Sequence, residues 1–207
     1  MFDWNEFMGS YNAPGWTLPV ELMALAFLAA HQRKDAKILE IGAWTGASTM
    51  ALVAGAGKDV GRTVHTVDLW AGKDRSYRGA VNGPMVRRAF FKRMQPYIDT
   101  NRLTVCEGDY KEILPTLEKG AYDLIFVDGP HGLEDVEPTL SLVPPLLSNS
   151  GAIVFHDASG NWSAVTKMVE GLMATGDFDQ PPRMVYSMAV CPRKADKPDF
   201  DARKVGE

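Results

Sequence analysis

Residues 36–53 constrain the fold of this chain more than any other segment. Residues 37–41 are an apolar run typical of a buried strand, residues 42–46 form a glycine-bearing turn, and a helix is predicted from Ala47. Such a turn presents backbone N–H groups at the start of a helix, and its glycines let a ligand approach closely. The order Glu-x-Gly-x-x-x-Gly differs from the Gly-x-Gly-x-x-Gly turn that binds dinucleotides. The segment therefore predicts an α/β fold with a nucleotide-like ligand beside its first strand.

Strands and helices alternate along the rest of the chain. Strands are predicted at residues 37–41, 63–68, 102–107, 122–127 and 152–155, with a further β segment at 183–190. Helices are predicted at residues 17–32, 47–54, 85–98, 110–117, 133–147 and 163–174. Thr17 is the predicted cap of the first of these helices. The alternation predicts a Rossmann-like, doubly wound and mainly parallel sheet with helices on both faces.

The length of the chain fits one domain. Its 207 residues, 45% of them hydrophobic, suffice for one sizeable core but are few for two. We predict a single domain over residues 1–191, in which residues 1–16 form an N-terminal arm or lid. Residues 69–83 show no regular period and are predicted to be a mobile loop. The charged and proline-bearing residues 192–207 are predicted to be disordered.

Charge and composition disfavour several classes of partner. The net charge of −4 argues against nucleic-acid binding, because nucleic-acid binders usually carry a basic stripe. The longest apolar run, residues 20–30, contains Glu21 and is too short to span a bilayer. No signal peptide is evident, and Cys106 and Cys191 are predicted to be buried free thiols in a reducing compartment. We therefore expect a cytoplasmic protein without a membrane or nucleic-acid partner.

Carboxylates stand at the ends of all five predicted parallel strands. They are Glu40, Asp68, Glu107 with Asp109, Asp128, and Asp157, which follows His156. Ligands of doubly wound sheets bind outside the carboxyl ends of the strands, so these side chains should share one rim. Clustered like charges are costly unless a ligand or a metal offsets them. The rim is therefore the candidate functional site.

The motifs at this rim resemble a known family. LEIGAWTGAS, VDLW, EGDY, YDLIFVDGPH and GAIVFHD resemble, in this order, the motifs of class I S-adenosylmethionine-dependent methyltransferases, over about residues 17–165. The likeness is greatest to small-molecule O-methyltransferases of the catechol and caffeoyl-CoA type and to metal-dependent antibiotic and sugar enzymes. It implies methylation of a hydroxyl group on a small acceptor, such as a phenol, a sugar or a secondary metabolite.

The resemblance also implies which residues bind S-adenosylmethionine. Those at the methionine half, including the sulfonium, would be Glu40, Gly42, Trp44, Gly46 and Ser48. Those at the adenosine half would be Asp68 on the ribose, Leu69 or Trp70 against the adenine ring, and Asp109 on the adenine amino group. Asp128 is expected to reach the cofactor as well as the acceptor.

A catalytic group is predicted after the fourth strand. A hydroxyl becomes a good nucleophile when a base removes its proton or a metal lowers its pKa. In the catechol-type enzymes an aspartate after this strand binds magnesium and a lysine three residues later is the base. Here Asp128 is followed at that spacing by His131, whose ordinary pKa suits a base near neutral pH. The alternative for His131 is a loop residue that caps the next helix.

A divalent metal is expected at the same place. Asp157 matches the second metal ligand of these families, but His156 before it and Ala158 after it depart from their usual third ligand. The predicted ligands are Asp128, His156 and Asp157. Oxygen ligands suit Mg²⁺, and an added imidazole suits Mn²⁺, Fe²⁺ or Zn²⁺. Without a metal, Asp128 could orient His131 as the base, with His156 beside it.

Three alternative functions remain open at this stage. An NAD(P)-dependent oxidoreductase is disfavoured because the third glycine of the dinucleotide turn and a Tyr-x-x-x-Lys pair are missing. A nucleic-acid methyltransferase is disfavoured because Asp-Gly-Pro-His stands where base amino methylation uses Asn/Asp-Pro-Pro-Tyr/Phe. A non-catalytic cofactor-binding domain is disfavoured by the intact set of carboxylates.

Acceptor binding and assembly are the least determined features. Residues expected to border the acceptor are Arg75, Tyr77, Arg78, Asn161 and Trp162. The arm, whose aromatic residues are Phe2, Trp4, Phe7 and Trp16, is expected to serve as a substrate lid or as a dimer contact. A homodimer is therefore one expectation.

Overall fold

A seven-stranded sheet organises the residues that the computed structural model describes, which are 2–70, 83–129, 131–160 and 162–194. The strands β1 to β7 are Lys37–Ile41, Thr63–Asp68, Leu103–Glu107, Tyr122–Val127, Leu147–Phe155, Arg183–Val185 and Met188–Pro192. Their order across the sheet is β3-β2-β1-β4-β5-β7-β6. Strands β1 to β5 are parallel, and β7 joins β5 and β6 in antiparallel fashion. The predicted doubly wound, mainly parallel sheet is confirmed.

Helices cover both faces of this sheet. The helices α1 to α7 are Trp4–Tyr11, Pro19–Ala30, Ala47–Ala56, Gly83–Asp99, Tyr110–Ile113, Val136–Leu142 and Ser163–Ala174. Short 3₁₀ turns occupy Leu114–Thr116, Leu133–Asp135 and Pro144–Leu146. One core lies between the sheet and α1 to α4, and a second lies between the sheet and α5 to α7. Because β4 is central, Leu124 and Phe126 face the first core while Ile125 and Val127 face the second.

The N-terminal residues form part of the first core. The sequence predicts an arm without regular structure at residues 1–16, but the structure places α1 there. Asp3 caps this helix by accepting a hydrogen bond from the Glu6 N–H at 3.0 Å. Phe7 is fully buried, and the guanidinium of Arg102 donates to both oxygens of Glu6 at 2.7 and 2.8 Å. The aromatic and apolar residues Trp4, Phe7, Met8 and Tyr11 stand at i, i+3, i+4 and i+7, so a helical period of two turns was present in the sequence.

Three predicted bounds also differ from the structure. Helix α2 is preceded by Leu18, not Thr17, and the Leu18 N–H donates to the Glu21 carboxylate at 2.9 Å. The predicted helix at 133–147 is regular only over α6, because Pro144 begins a 3₁₀ turn, and β5 begins at Leu147 rather than at 152. The predicted β segment at 183–190 is a hairpin of β6 and β7 that extends to Pro192.

Two predicted segments lie largely outside the described residues. These are the loop at 69–83, apart from its two ends, and the tail at 192–207 beyond residue 194. The division into one domain and a tail stays a prediction. Among the helices in the described ranges, none is long and apolar enough to cross a membrane.

The packing of α1 gives a test of whether it belongs to the folded domain. Phe7→Ala is expected to lower the free energy of unfolding by roughly 3–5 kcal/mol, because it empties a fully buried aromatic site. Trp4→Ala on the same helix is the matched control, since 61% of the Trp4 side chain is exposed. Urea unfolding followed by circular dichroism measures both. Equal, small losses in the two variants would show that α1 does not stabilise the fold.

Candidate active site

A cavity of about 770 Å³ lies along the carboxyl ends of the parallel strands. Among the residues that the sequence predicts for the site, those that line it are Gly42, Trp44, Ser48, Asp68, Leu69, Trp70, Asp109, Asp128, His131, His156 and Asp157. Glu40 and Gly46 are not in its wall. The structure thus brings the cofactor candidates and the catalytic candidates to one cavity, as expected for a shared rim.

Glu40 lies behind the glycine turn and is completely buried. Its two oxygens accept hydrogen bonds from the hydroxyls of Ser48 at 2.6 Å, Thr49 at 2.6 Å and Thr66 at 2.8 Å. Burial outweighs these hydrogen bonds and raises the pKa of Glu40 to about 7. Glu40 thus joins the first turn of α3 to β1 and β2. Its contact with the methionine end of the cofactor stays a prediction.

Asp68 organises the turn that the sequence assigns to the cofactor. Its Oδ2 accepts the N–H groups of Ala43 at 2.7 Å and Trp44 at 2.8 Å, and its Oδ1 accepts the Trp70 N–H at 2.7 Å. The Trp70 indole N–H then donates to the Trp44 carbonyl at 2.8 Å. Both tryptophans hold positive φ angles, 46° at Trp44 and 39° at Trp70, which is a strained backbone for L-residues. The Asp68 hydrogen bonds hold this strained geometry in place.

The start of α5 forms the side of the cavity that the sequence assigns to adenine. Asp109 caps this helix, since its Oδ1 accepts the Lys111 N–H at 2.9 Å. Tyr110 and Lys111 line the cavity beside it, and both contact Asp135. The cap thus uses Oδ1 of Asp109 and does not use Oδ2.

His131 lies at the opposite end of the cavity, where its ring faces two carboxylates. Its Nδ1–H donates to the Gly129 carbonyl at 3.0 Å, because a carbonyl can only accept. Its Nε2 lies 3.3 Å from Asp157 Oδ2 and 3.9 Å from Asp128 Oδ1. Burial alone would lower the pKa of His131, but the Asp157 and Asp128 carboxylates outweigh it and raise that pKa above its ordinary value.

His156 has a different environment from the one that the sequence suggests. Its Nε2 lies 3.1 Å from Glu21 Oε2, and its Nδ1 lies 3.1 Å from Asp128 Oδ1 and 3.4 Å from Asp157 Oδ1. Burial alone would lower the pKa of His156, but the three carboxylates raise it to about 12. With Nε2–H donated to Glu21, the other ring nitrogen, Nδ1, is buried without a hydrogen-bond partner and faces Asp128 and Asp157. A carboxylate on one ring nitrogen is the usual arrangement of a histidine that binds a metal through the other. The roles of His156 as metal ligand and as base stay predictions.

A group that could hold a cation is Asp128, His131 and Asp157, in which His131 stands where the sequence predicts His156. One ligand atom from each lies within 4.8 Å of the others. A neutral His131 Nε2 and Asp157 Oδ2 are both acceptors, so their 3.3 Å contact is favourable only with a proton or a metal ion between them. Asp157 holds a positive φ of 59°, so its backbone is strained at this position.

Aromatic residues line the cavity beside His131 and beside the glycine turn. The Trp162 ring lies 5.1 Å from the His131 ring, and the Trp16 ring lies 5.7 Å from the Trp44 ring. Trp16 also lines a second cavity of about 500 Å³, which shares His156 and Asp157 with the first. The predicted acceptor contacts Arg75, Tyr77, Arg78 and Asn161 lie outside the described residues.

Sequence analysis missed Glu21 and the direct part that Trp16 has in the cavity wall. A lone acid inside an otherwise apolar helix was the available signal for Glu21.

Comparison with known proteins identifies the family of this chain. Residues 39–158 match the family model described as a methyltransferase domain. The chain belongs to the methyltransferase domain family. The O-methyltransferase hkm8 of Aspergillus hancockii is 30% identical over 161 residues, which are 73% of this chain and 56% of that protein. The chain therefore spans little more than half the length of this relative.

Solved methyltransferase structures share the fold. The S-adenosylhomocysteine-bound methyltransferase PaMTH1 of Podospora anserina superposes with a TM-score of 0.67 at 22% identity, covering 93% of this chain and 87% of that one. The O-methyltransferase of Bacillus cereus in complex with S-adenosylhomocysteine gives a TM-score of 0.67 at 16% identity, covering 92% and 91%. The class I methyltransferase resemblance carried by the ordered motifs is thus confirmed.

Proposed function

We propose that this methyltransferase transfers a methyl group from S-adenosylmethionine to a hydroxyl oxygen of a small molecule. The observation that carries the proposal is the single cavity that runs from the Asp68-held turn to His131. The name of the similar Aspergillus protein and the cofactor product in the two solved structures support the same activity. A nicotinamide-dependent or non-catalytic function has no comparable support.

The donor half of the proposal assigns the cofactor to the glycine turn. A carboxylate offers about four lone-pair positions, and three of the four on Asp68 accept backbone N–H groups. One remains for a ribose hydroxyl, so the carboxylate can hold the turn and bind the ligand at once. Gly42 and Ser48 line the cavity where the methionine end would lie, while Trp70 and Asp109 border the place for adenine.

The acceptor half assigns proton removal to His131. S-adenosylmethionine, when bound, supplies a methyl group on a sulfonium, which an oxygen nucleophile displaces in line. The Nδ1–H bond to Gly129 directs the His131 Nε2 lone pair into the cavity, where it takes the acceptor's hydroxyl proton. Asp157 and Asp128 stabilise the imidazolium that results. The new C–O bond forms as the C–S bond breaks, and the electron pair of that bond stays on sulfur.

A divalent metal is the second way in which the acceptor hydroxyl can be activated. Two carboxylates and an imidazole nitrogen within 4.8 Å of one another fit Mn²⁺, and they fit Mg²⁺ less well because Mg²⁺ prefers oxygen ligands. Asp128, Asp157 and His131 Nε2 would hold it, and when bound it would lower the pKa of the acceptor hydroxyl. A ligating Nε2 takes up no proton, so the two roles of His131 exclude each other.

The acceptor is proposed to be a hydroxylated small molecule of the phenol, sugar or secondary-metabolite kind. The Trp162 ring beside His131 and the Trp16 ring beside Trp44 suit a flat acceptor, because stacking and edge contacts favour aromatic partners. The cytoplasmic location and the homodimer stay predictions from the sequence.

The donor half can be tested by calorimetry with S-adenosylhomocysteine. Asp68→Ala is expected to weaken its binding by roughly 10- to 100-fold, since a hydrogen bond to a charged group contributes about 1.5–3 kcal/mol. Glu107→Ala is the matched control, because Glu107 ends the neighbouring strand without lining the cavity. NAD⁺ should bind neither variant nor the native chain. Unchanged affinity in Asp68→Ala, or binding of NAD⁺ to the native chain, would refute the assignment.

A further inference from the structure

Helix α2 carries one buried carboxylate, Glu21, which neither the donor half nor the acceptor half uses. Only 1% of Glu21 is exposed, although the other buried residues of this helix are apolar. Burying a carboxylate costs several kcal/mol unless charged or polar partners surround it. The partners of Glu21 should therefore show what the burial achieves.

These partners come from three separate segments of the chain. Glu21 Oε2 accepts the Leu18 N–H at 2.9 Å and lies 3.1 Å from His156 Nε2. Glu21 Oε1 accepts the N–H of Ser187 at 3.1 Å, and it accepts the Ser187 hydroxyl as well. The carboxylate thus joins the start of α2, the end of β5 and the turn between β6 and β7. His156 is the only one of the three partners that also reaches the acceptor end of the cavity.

The far side of the His156 ring contacts both carboxylates of the candidate site. Its Nδ1 lies 3.1 Å from Asp128 Oδ1 and 3.4 Å from Asp157 Oδ1. The other oxygen of Asp157, Oδ2, faces His131 Nε2 at 3.3 Å. Asp157 is therefore held between two imidazoles, one buried and anchored, the other open to the cavity.

We propose that Glu21 is a positioning residue for methyl transfer. It holds the His156 ring so that Nδ1 faces Asp128 and Asp157, and it thereby fixes both carboxylates around His131. The proposal rests on the proposed function. Reacting groups must be held within about 0.5 Å of the productive geometry. In Glu21→Gln a single amide oxygen replaces two carboxylate oxygens, so it cannot accept from both the His156 side and the Ser187 side. The His156 ring then loses the charged acceptor that sets its rotation, and the two carboxylates lose a fixed partner.

The test compares two buried carboxylates in the full chain. Glu21→Gln is expected to lower kcat with 1,2-dihydroxybenzene, or with the best acceptor from a panel of phenols and sugars, by about 10- to 100-fold. The affinity for S-adenosylhomocysteine should stay within about twofold of the native value, because Glu21 is remote from the donor half. Asp123→Asn is the matched control. Asp123 is 3% exposed at the start of β4 and accepts from Arg33 and Ser148 at 3.0 Å, so its loss should affect stability alone.

Two readouts separate positioning from a structural role. A kcat for Glu21→Gln within threefold of the native value, or an equal fall of kcat in Asp123→Asn, would overturn the proposal. Crystal structures of the native chain and Glu21→Gln with S-adenosylhomocysteine provide the second readout. We expect a rotated His156 ring and an Asp157 carboxylate displaced by about 1 Å or more. Unmoved side chains would overturn the proposal even if kcat falls.

The failure of the proposed function would be visible separately. If the native chain methylates no acceptor, O-methyl transfer fails, while the crystal structures still decide whether Glu21 positions His156 and Asp157. If Glu21→Gln does not fold, Glu21→Asp replaces it, because it keeps the charge and withdraws it by one methylene. In Glu21→Asp the Asp157 carboxylate is expected to move by a smaller distance. An unmoved Asp157 in this variant would contradict the positioning role.

Discussion

His131→Ala is expected to lower the rate of methyl transfer by roughly 100- to 10,000-fold, which is the usual contribution of a general base. The affinity for S-adenosylhomocysteine should stay within about twofold, since the ring lies at the acceptor end of the cavity. The imidazole Nε2 is directed at that end by the Nδ1–H bond to Gly129. Transfer of a labelled methyl group measures the rate, and calorimetry measures the affinity.

The control for this variant is another histidine on the same chain. His31 follows α2 on the surface, and its ring contacts the Phe27 carbonyl and ring, so His31→Ala should retain the native rate. A fully active His131→Ala would remove the ring from the chemistry. A loss of cofactor affinity as large as the loss of rate would instead assign His131 to donor binding.

The pH dependence follows from the carboxylates around the ring. They raise the pKa of His131 above its ordinary 6.5, and only the neutral ring accepts a proton. The native rate should therefore rise with pH, with its midpoint above 6.5, and this rise should be absent in His131→Ala.

A chelator distinguishes a general base from a bound metal at the acceptor end of the cavity. Unchanged activity after EDTA dialysis supports the base, whereas a loss restored by Mn²⁺ supports the metal.

Much of the fold could be predicted because its signals are local. Strands β1, β2 and β4 have the predicted bounds, since each is a short run rich in β-branched or aromatic residues beside glycine or charged residues. The rim of carboxylates followed from the parallel sheet, because successive parallel strands end at the same edge. Helix α1 was not predicted because a period of only two turns is a weak signal, and its stability comes from packing Phe7 and pairing Glu6.

The roles of individual acids were harder to predict because they depend on burial. Glu40 and Asp68 both end strands, yet three hydroxyls enclose Glu40 completely whereas Asp68 lines the cavity. His156 and Asp157 are neighbours in sequence, but the positive φ of Asp157 turns the chain between them. The Glu21–His156 contact spans 135 residues, and no local pattern in a single sequence reports it. Distances of this kind require the fold.

The glycine turn allows a test that separates close approach from backbone conformation. Gly42 has a φ of 92°, and a Cβ there would lie 2.7 Å from the Gly129 nitrogen and 2.8 Å from the Asp128 carbonyl. Both are backbone atoms that cannot rotate away. Gly42→Ala should therefore force the turn after β1 away from the end of β4, at the point where the donor and acceptor halves of the cavity meet.

Gly42→Ala is expected to lower the free energy of unfolding by roughly 2–5 kcal/mol, from the left-handed backbone and the overpacking together. Calorimetric binding of S-adenosylhomocysteine should be lost. Gly120→Ala is the matched control, because Gly120 has a φ of 67° with no atom within 4 Å of its Cβ position. It should lose only about 1–2 kcal/mol and keep full affinity. If both variants behave alike, the approach of β1 to β4 does not shape the cofactor site, and the turn alone would have to account for binding.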